Sequence, residues 1–128
     1  MDPSDIESKI TDKTKVVIPV HIAGSPVDLN SILSLAEKHN LPVIEDAAQG
    51  HGATYQNKKV GAIGLGGIFS FQSSKNMSAG EGGAIITNDE DFADACFSYH
   101  NCGRVKNGAW YEHHRLGSNL RMSAVNAA

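Results

Sequence analysis

The apolar residues of this chain change period several times along its length. VVIPV at 16–20 is a short, unbroken apolar run after a polar, charged lead-in, and it predicts a buried strand. SPVDLNSILSLAEKHN then spaces Leu29, Ile32, Leu33 and Ala36 three and four residues apart, which aligns them on one helical face. Asp28 stands where an N-cap belongs, and His39-Asn40 closes the segment. LPVIEDA (41–47), GGIFSF (66–71) and GGAIIT (82–87) are three more short apolar runs, each predicting a strand. Asn88 is the expected N-cap of a second helix. Asp89, Glu90 and Asp91 follow it, where the positive end of the helix dipole favours acids. Phe92, Ala95, Cys96 and Tyr99 form the predicted apolar stripe of that helix. From Cys102 onward the periodicity is weak, until VNAA reads as a helix just beginning.

Buried apolar strands alternating with a helix are the signature of βαβ units. The expected fold class is therefore α/β, a mostly parallel sheet with flanking helices. Four strands and two good helices look like the middle of a sheet rather than a whole one, so the expectation is part of a larger domain.

Composition narrows the function classes. The chain has 128 residues, 41% of them hydrophobic, and a formal net charge of −3. Its pI of about 6.0 gives no basic footprint for a nucleic-acid partner. No apolar run reaches the roughly 18–20 residues of a membrane span, and MDPSDIESKITDKTK has no apolar segment of a signal peptide. The expectation is a cytoplasmic protein with no membrane partner. Cys96 and Cys102 fit no finger or CxxC spacing. Cys96, on the predicted stripe, is expected as a buried reduced thiol.

In doubly wound sheets, ligands sit beyond the carboxyl ends of the strands. His21, Glu45-Asp46, Ser70 and, five residues later, Lys75 fall there. Taken singly, each has a plain role as a loop charge, a cap or a solvated side chain. The glycines of GAIGLGG precede a strand instead of following one and opening a helix, which disfavours a nicotinamide-binding domain. GEGG is not followed by Lys and Ser/Thr, so it is no phosphate-binding P-loop. His113 and His114 are adjacent, point apart on a regular element and lack an acidic partner at metal-site spacing, so no metal is expected. Taken together, Asp, Ser and Lys in that order suit pyridoxal 5'-phosphate. A lysine amine forms a Schiff base with a carbonyl. An aspartate keeps the pyridine nitrogen protonated, and the protonated ring draws electrons from the carbon losing its proton. Hydroxyl and backbone N–H donors suit the phosphate.

The stretches PVHIAGSPVDLNSI, LPVIEDAAQGHGATYQNKKVGAIG, FSFQSSKNMSAGEGGAIITND and LGSNLRMSAVNAA resemble the DegT/DnrJ/EryC1/StrS family of sugar aminotransferases, over nearly the whole chain. The resemblance implies a fold type I pyridoxal-phosphate enzyme, with residues 1–128 as the later half of its large domain. It implies that GGAIIT is the antiparallel strand of the sheet. It places the Schiff-base lysine at Lys75, the pyridinium partner at Asp46, a contact to the ring hydroxyl at Gln49 and a phosphate ligand at Ser70. Asn119, in LGSNLRMS, resembles the asparagine that reaches the phosphate of a neighbouring subunit, which implies a homodimer with a shared site. The implied reaction takes an amino group from glutamate or glutamine to a keto sugar, usually nucleotide-linked, or to a cyclitol ketone. Lys75 would be the base that carries the proton. Dehydratases of the family replace the lysine with histidine, so Lys75 favours the aminotransferase over a lyase; a non-catalytic module is the remaining alternative. His51 and Glu81 lie inside the motifs without an assigned role. Family members are considerably longer. Their upstream phosphate loop, ring-stacking aromatic and small carboxy-terminal domain have no counterpart here, so the expectation is a chain inactive and marginally stable by itself.

Overall fold

The structure is a computed structural model that describes residues 1–128. It opens on a short helix, α1 (Pro3–Ile6), capped by the Asp2 side chain and continued by a 3-10 turn over Glu7–Lys9. Helix α2 (Leu29–Lys38) forms as its spacing predicts: Asp28 caps it by accepting from the Ser31 N–H at 3.3 Å, and Leu29, Ile32 and Ala36 are its buried face. Glu7 ties the two helices together, accepting from Lys38 at 2.5 Å and pairing with His39 at 3.0 Å.

Strand β1 (Ile44–Asp46) lies parallel to the run 17–21 on one side. The ladder there runs from the Val17 N–H to Pro42, Ile44 N–H to Val17, Asp46 N–H to Pro19 and His21 N–H to Asp46. VVIPV is therefore extended and paired, yet not a continuous strand. Pro19 has no N–H, so the rung it would have donated toward Ile44 is missing. The run is also only half sequestered: Val17 and Pro19 are buried, whereas Ile18 and Val20 are 46% and 37% exposed. Between β1 and the next sheet strand, β2 (Thr54–Tyr55) and β3 (Lys58–Lys59) form a small antiparallel hairpin. Its turn residues Gln56 and Asn57 take positive φ of 47° and 63°, the twist that suits a two-residue hairpin.

On the other side of β1, β4 (Gly66–Ser70) pairs with it in parallel, Ile44 to Gly66 and Asp46 to Ile68. Strand β5 (Gly83–Ile86) then pairs antiparallel to β4, as the family resemblance implied. The sheet is mostly parallel with one reversed strand. Val17 and Val43 face α2 and close a cluster with Ile32 and Ala36. The glycines before β4 are explained by packing, since a Cβ on Gly67 would collide with the backbone of Gly61.

Helix α3 (Glu90–His100) starts one residue later than expected: the cap is Asp89, accepting from the Phe92 N–H at 2.7 Å, not Asn88. Both residue types cap well, so sequence alone could not choose between neighbours. Ala93, Cys96 and Phe97 line a groove with Ile68 and Ile85. Tyr99, assigned to the stripe, is 57% exposed, and Ser98 is the buried residue. Cys96 is half-buried, not buried; it is free, and burial pushes its thiol up from the ordinary value. The last helix, α4 (Ala124–Ala127), begins at an N-cap, Ser123. It is anchored by Asn126, which donates to the Ala79 carbonyl at 2.5 Å.

Candidate active site

Asp46 is the last residue of β1, and Ser70 is the last of β4. The strands are parallel, so both lie at the carboxyl end of the sheet. Asp46 pairs with Ile68, and Ser70 is two residues on, so pleating puts both side chains on one face. The half-buried Asp46 carboxylate accepts the Ala48 N–H at 3.0 Å, a turn bond that leaves its other oxygen free. Ser70 Oγ accepts the Gln72 N–H at 3.3 Å, so its hydroxyl proton remains available for donation.

The segment after β4 turns back at Lys75, whose N–H donates to the Gln72 carbonyl at 2.9 Å. Ser73, Ser74, Asn76 and Met77 around it are exposed, whereas Lys75 is half-buried. It is not the solvated loop lysine that its setting suggests. Together with Gln49 and His51 it lines a cavity of 260 Å³ that Ala23 and Ala48 help close. The Lys75 side chain has no ion-pair or hydrogen-bond partner within the chain.

Gln49 is held from a distance. Its Oε1 accepts the Ala23 N–H at 2.6 Å, which orients the amide and leaves Nε2 as a donor. Ala23 reaches it from a left-handed conformation, φ 52°, uncommon for a residue with a Cβ. His51 packs its ring 5.3 Å from that of Phe69, and its Nε2 is buried without a partner. Sequence reasoning gave His51 no role; the orphaned nitrogen is visible only in three dimensions.

Of the remaining candidates, His21 and Glu45 do not face the site. Glu45 precedes Asp46 in the strand and so points to the opposite side, where it is fully buried with His21. Asn119 is exposed and lies on a segment bridged to Asn101, outside the cavity of Gln49 and Lys75. His113 donates from Nδ1 to the Cys102 carbonyl at 2.6 Å, and His114 pairs with Glu112, so the two histidines serve different contacts. Glu81 is exposed.

The whole chain, residues 1–128, matches the DegT/DnrJ/EryC1/StrS aminotransferase family. The chain belongs to this family. It is 43% identical over its full length to a "Pleiotropic regulatory protein" of Geobacillus stearothermophilus, covering 34% of that protein. It is also 43% identical over its full length to a putative L-glutamine:3-amino-2,3-dideoxy-scyllo-inosose aminotransferase of Streptomyces kanamyceticus, covering 31% of it. In structure it superposes on the aminotransferase from Psychrobacter cryohalolentis with a TM-score of 0.92 and 42% identity, over 99% of this chain and 35% of that one. NtdA from Bacillus subtilis, with bound cofactor PMP, matches at 0.88 and 34% identity, over 99% of this chain and 28% of its own. The chain thus spans about a third of the length of the curated relatives it matches. Aminotransferases of the DegT/DnrJ/EryC1/StrS family depend on pyridoxal phosphate.

The residues present fit that cofactor. A carboxylate with a free oxygen and a hydroxyl with a free proton share one face at the strand ends. An unpaired amine and an oriented amide N–H donor share one cavity nearby.

Proposed function

We propose that this chain contributes the lysine–aspartate part of the active site of a pyridoxal-phosphate-dependent aminotransferase. The observation that carries the reading is the cavity lined by both the half-buried, unpaired Lys75 and the oriented Gln49, with Ala48 of the turn after Asp46 in its wall. When bound, the cofactor supplies an electron sink for the carbon that loses its proton. Asp46 keeps a proton on the ring nitrogen through its free oxygen. Gln49 Nε2 donates to the ring oxygen. Ser70 donates its hydroxyl to the phosphate. Lys75 would hold the cofactor at its carbonyl carbon, and its amine would be the base that moves the proton.

The donor in this reading is glutamate or glutamine. The acceptor is a keto sugar, usually nucleotide-linked, or a cyclitol ketone, in line with what the Streptomyces relative is named for. Residues 1–128 form the later half of a cofactor-binding large domain. Asn119, exposed and away from the cavity, serves the phosphate of a second copy in a homodimer. The two cysteines are unpaired, which suits a reducing compartment, and we place the protein in the cytoplasm. No helix is long and apolar enough to cross a membrane.

A second reading has one observation behind it: the Geobacillus relative is named as a regulatory protein. A chimera distinguishes these two, and the lyase as well. Residues 1–128 replace the matching segment of a full-length family aminotransferase, and glutamine-dependent amination of its keto substrate is assayed. Amination that disappears with Lys75→Ala supports the aminotransferase. A folded chimera that takes up cofactor without transferring the amine would favour the lyase, and one that takes up no cofactor would favour the non-catalytic reading.

A further inference from the structure

Glu45 is the most fully engaged side chain of the molecule. Its Oε2 accepts His21 Nε2 at 3.0 Å and the Gly61 N–H at 2.7 Å; its Oε1 accepts the Ile63 and Gly64 N–H groups at 2.7 and 2.8 Å. These four donors fill the acceptor sites of a carboxylate. His21 is equally placed. Its Nδ1 accepts the Val27 N–H at 3.3 Å, so the ring proton is assigned to Nε2, facing Glu45. Its own backbone N–H donates to the carbonyl of Asp46 at 3.0 Å. Both side chains are fully buried.

From the buried face of β1 these bonds lead toward the backbone of Asp46 and the loop that holds Gln49. His21 is fixed to β1 twice, by its ring through Glu45 and by its backbone through Asp46. Through Val27 its ring also closes the loop 22–26, and at the tip of that loop the left-handed Ala23 presents the N–H that orients Gln49. A pair serving only to fill the core is replaceable by apolar residues. This pair instead makes six polar connections, one of them the backbone bond to Asp46, and the loop that its bond to Val27 closes carries the Ala23 N–H that holds Gln49.

We propose that His21 and Glu45 are positioning residues for the cofactor. Buried on the opposite side of β1 from the site, they set the loop that aims the Gln49 amide and hold the strand end that presents Asp46. The proposal rests on the reading of Asp46, Gln49 and Lys75 as cofactor ligands.

The test compares His21→Leu with His21→Gln, which keeps one donor and one acceptor. Two readouts are taken: amide hydrogen exchange at Ala23 and Val27 without cofactor, and the dissociation constant of pyridoxal phosphate by absorbance titration of the chimera in which residues 1–128 replace the matching segment of a full-length family aminotransferase. In the wild-type chain the Ala23 amide is expected to be protected. His21→Leu is expected to speed exchange at Ala23 and weaken cofactor binding, each by about tenfold for a lost hydrogen bond, and His21→Gln to restore most of both. If His21→Leu does not fold, Glu45→Gln carries the same comparison, because its amide turns an NH2 toward two of the four donors in either orientation. An unprotected Ala23 amide in the wild type, or a folded His21→Leu with unchanged exchange and unchanged affinity, would overturn the proposal. Failure of the unmutated chimera with a full-length family aminotransferase to take up the cofactor would instead overturn the reading of the site itself, and the exchange data would then judge the loop alone.

Discussion

Glu45 and Asp46 are neighbours in β1, yet their carboxylates have opposite fates: one is sealed among four hydrogen-bond donors, the other is half-buried with an oxygen free at the strand end. The division between fold and chemistry in this chain runs between these two residues. Glu45→Gln is expected to lower stability, by about 1–3 kcal/mol for each donor left unpaired. Asp46→Asn keeps an oxygen for the Ala48 N–H, so its melting temperature should match the wild type. It should nonetheless weaken pyridoxal phosphate binding by about ten- to a hundredfold, the worth of one charge-assisted hydrogen bond. Denaturant titration and cofactor titration of the two variants check the pair of outcomes. A destabilised Asp46→Asn with normal affinity would reverse the assignment.

The core cluster is small, and single truncations should be felt in full. Ile32 is 1% exposed and packs with Val17, Ala36 and Val43. Ile32→Ala is expected to cost about 2–5 kcal/mol, read from urea unfolding. A loss below the range for deleting a single methylene group would mean that α2 does not close the core as described.

Several carboxylates give the stability an acid limb. Hydrogen bonds from the Ser31 side chain and then Tyr55 hold Asp28 below its ordinary value of 3.8. The Lys38 and then His39 side chains do the same for Glu7, below 4.5. A folded-state value below the unfolded one means stability that is fully present above the ordinary value and lost as pH falls through the folded one. Melting temperature should therefore be insensitive to these groups at neutral pH and decline as pH drops below about 4. Glu7→Gln should flatten that decline. A wild-type curve of the same steepness in the variant would contradict the assignment of Glu7.

The elements with strong local signals were legible in the sequence. Helix α2 follows from Asp28 and the spacing of Leu29, Ile32 and Ala36, because one cap and one apolar face suffice to define it. Strands β1, β4 and β5 follow from short apolar runs between turn formers. The reversed direction of β5 came only from family resemblance, since apolar runs carry no direction. The first run was misjudged where a single atom decided: Pro19 offers no N–H, so pairing continues around a missing rung. Tyr99 fits the helical period but reaches solvent because no element covers that position. Candidate ligands Asp46, Ser70 and Lys75 could be named from the strand ends. The separate role of Glu45 and His21 was hidden because "end of strand" does not say which face. Period-2 alternation, applied through VIEDA, would have set Glu45 with the buried Val43 and apart from Asp46.

The isolated 128-residue chain is expected to release no oxo acid from glutamate or glutamine. Ile18 and Ile85 leave apolar sheet surface 46% and 54% exposed, and the Asn119 contribution requires a second copy. Assays for 2-oxoglutarate with glutamate as donor and for 2-oxoglutaramate with glutamine check this, and turnover by a demonstrably monomeric chain would contradict it.

The central claim is that Lys75 is the cofactor anchor. The most direct measurement mixes the chain with pyridoxal phosphate, reduces it with borohydride and maps the modified peptides by mass. The account predicts one dominant label, on Lys75, absent in Lys75→Ala. A label spread over exposed lysines such as Lys58 and Lys59, with Lys75 unmodified, would contradict it.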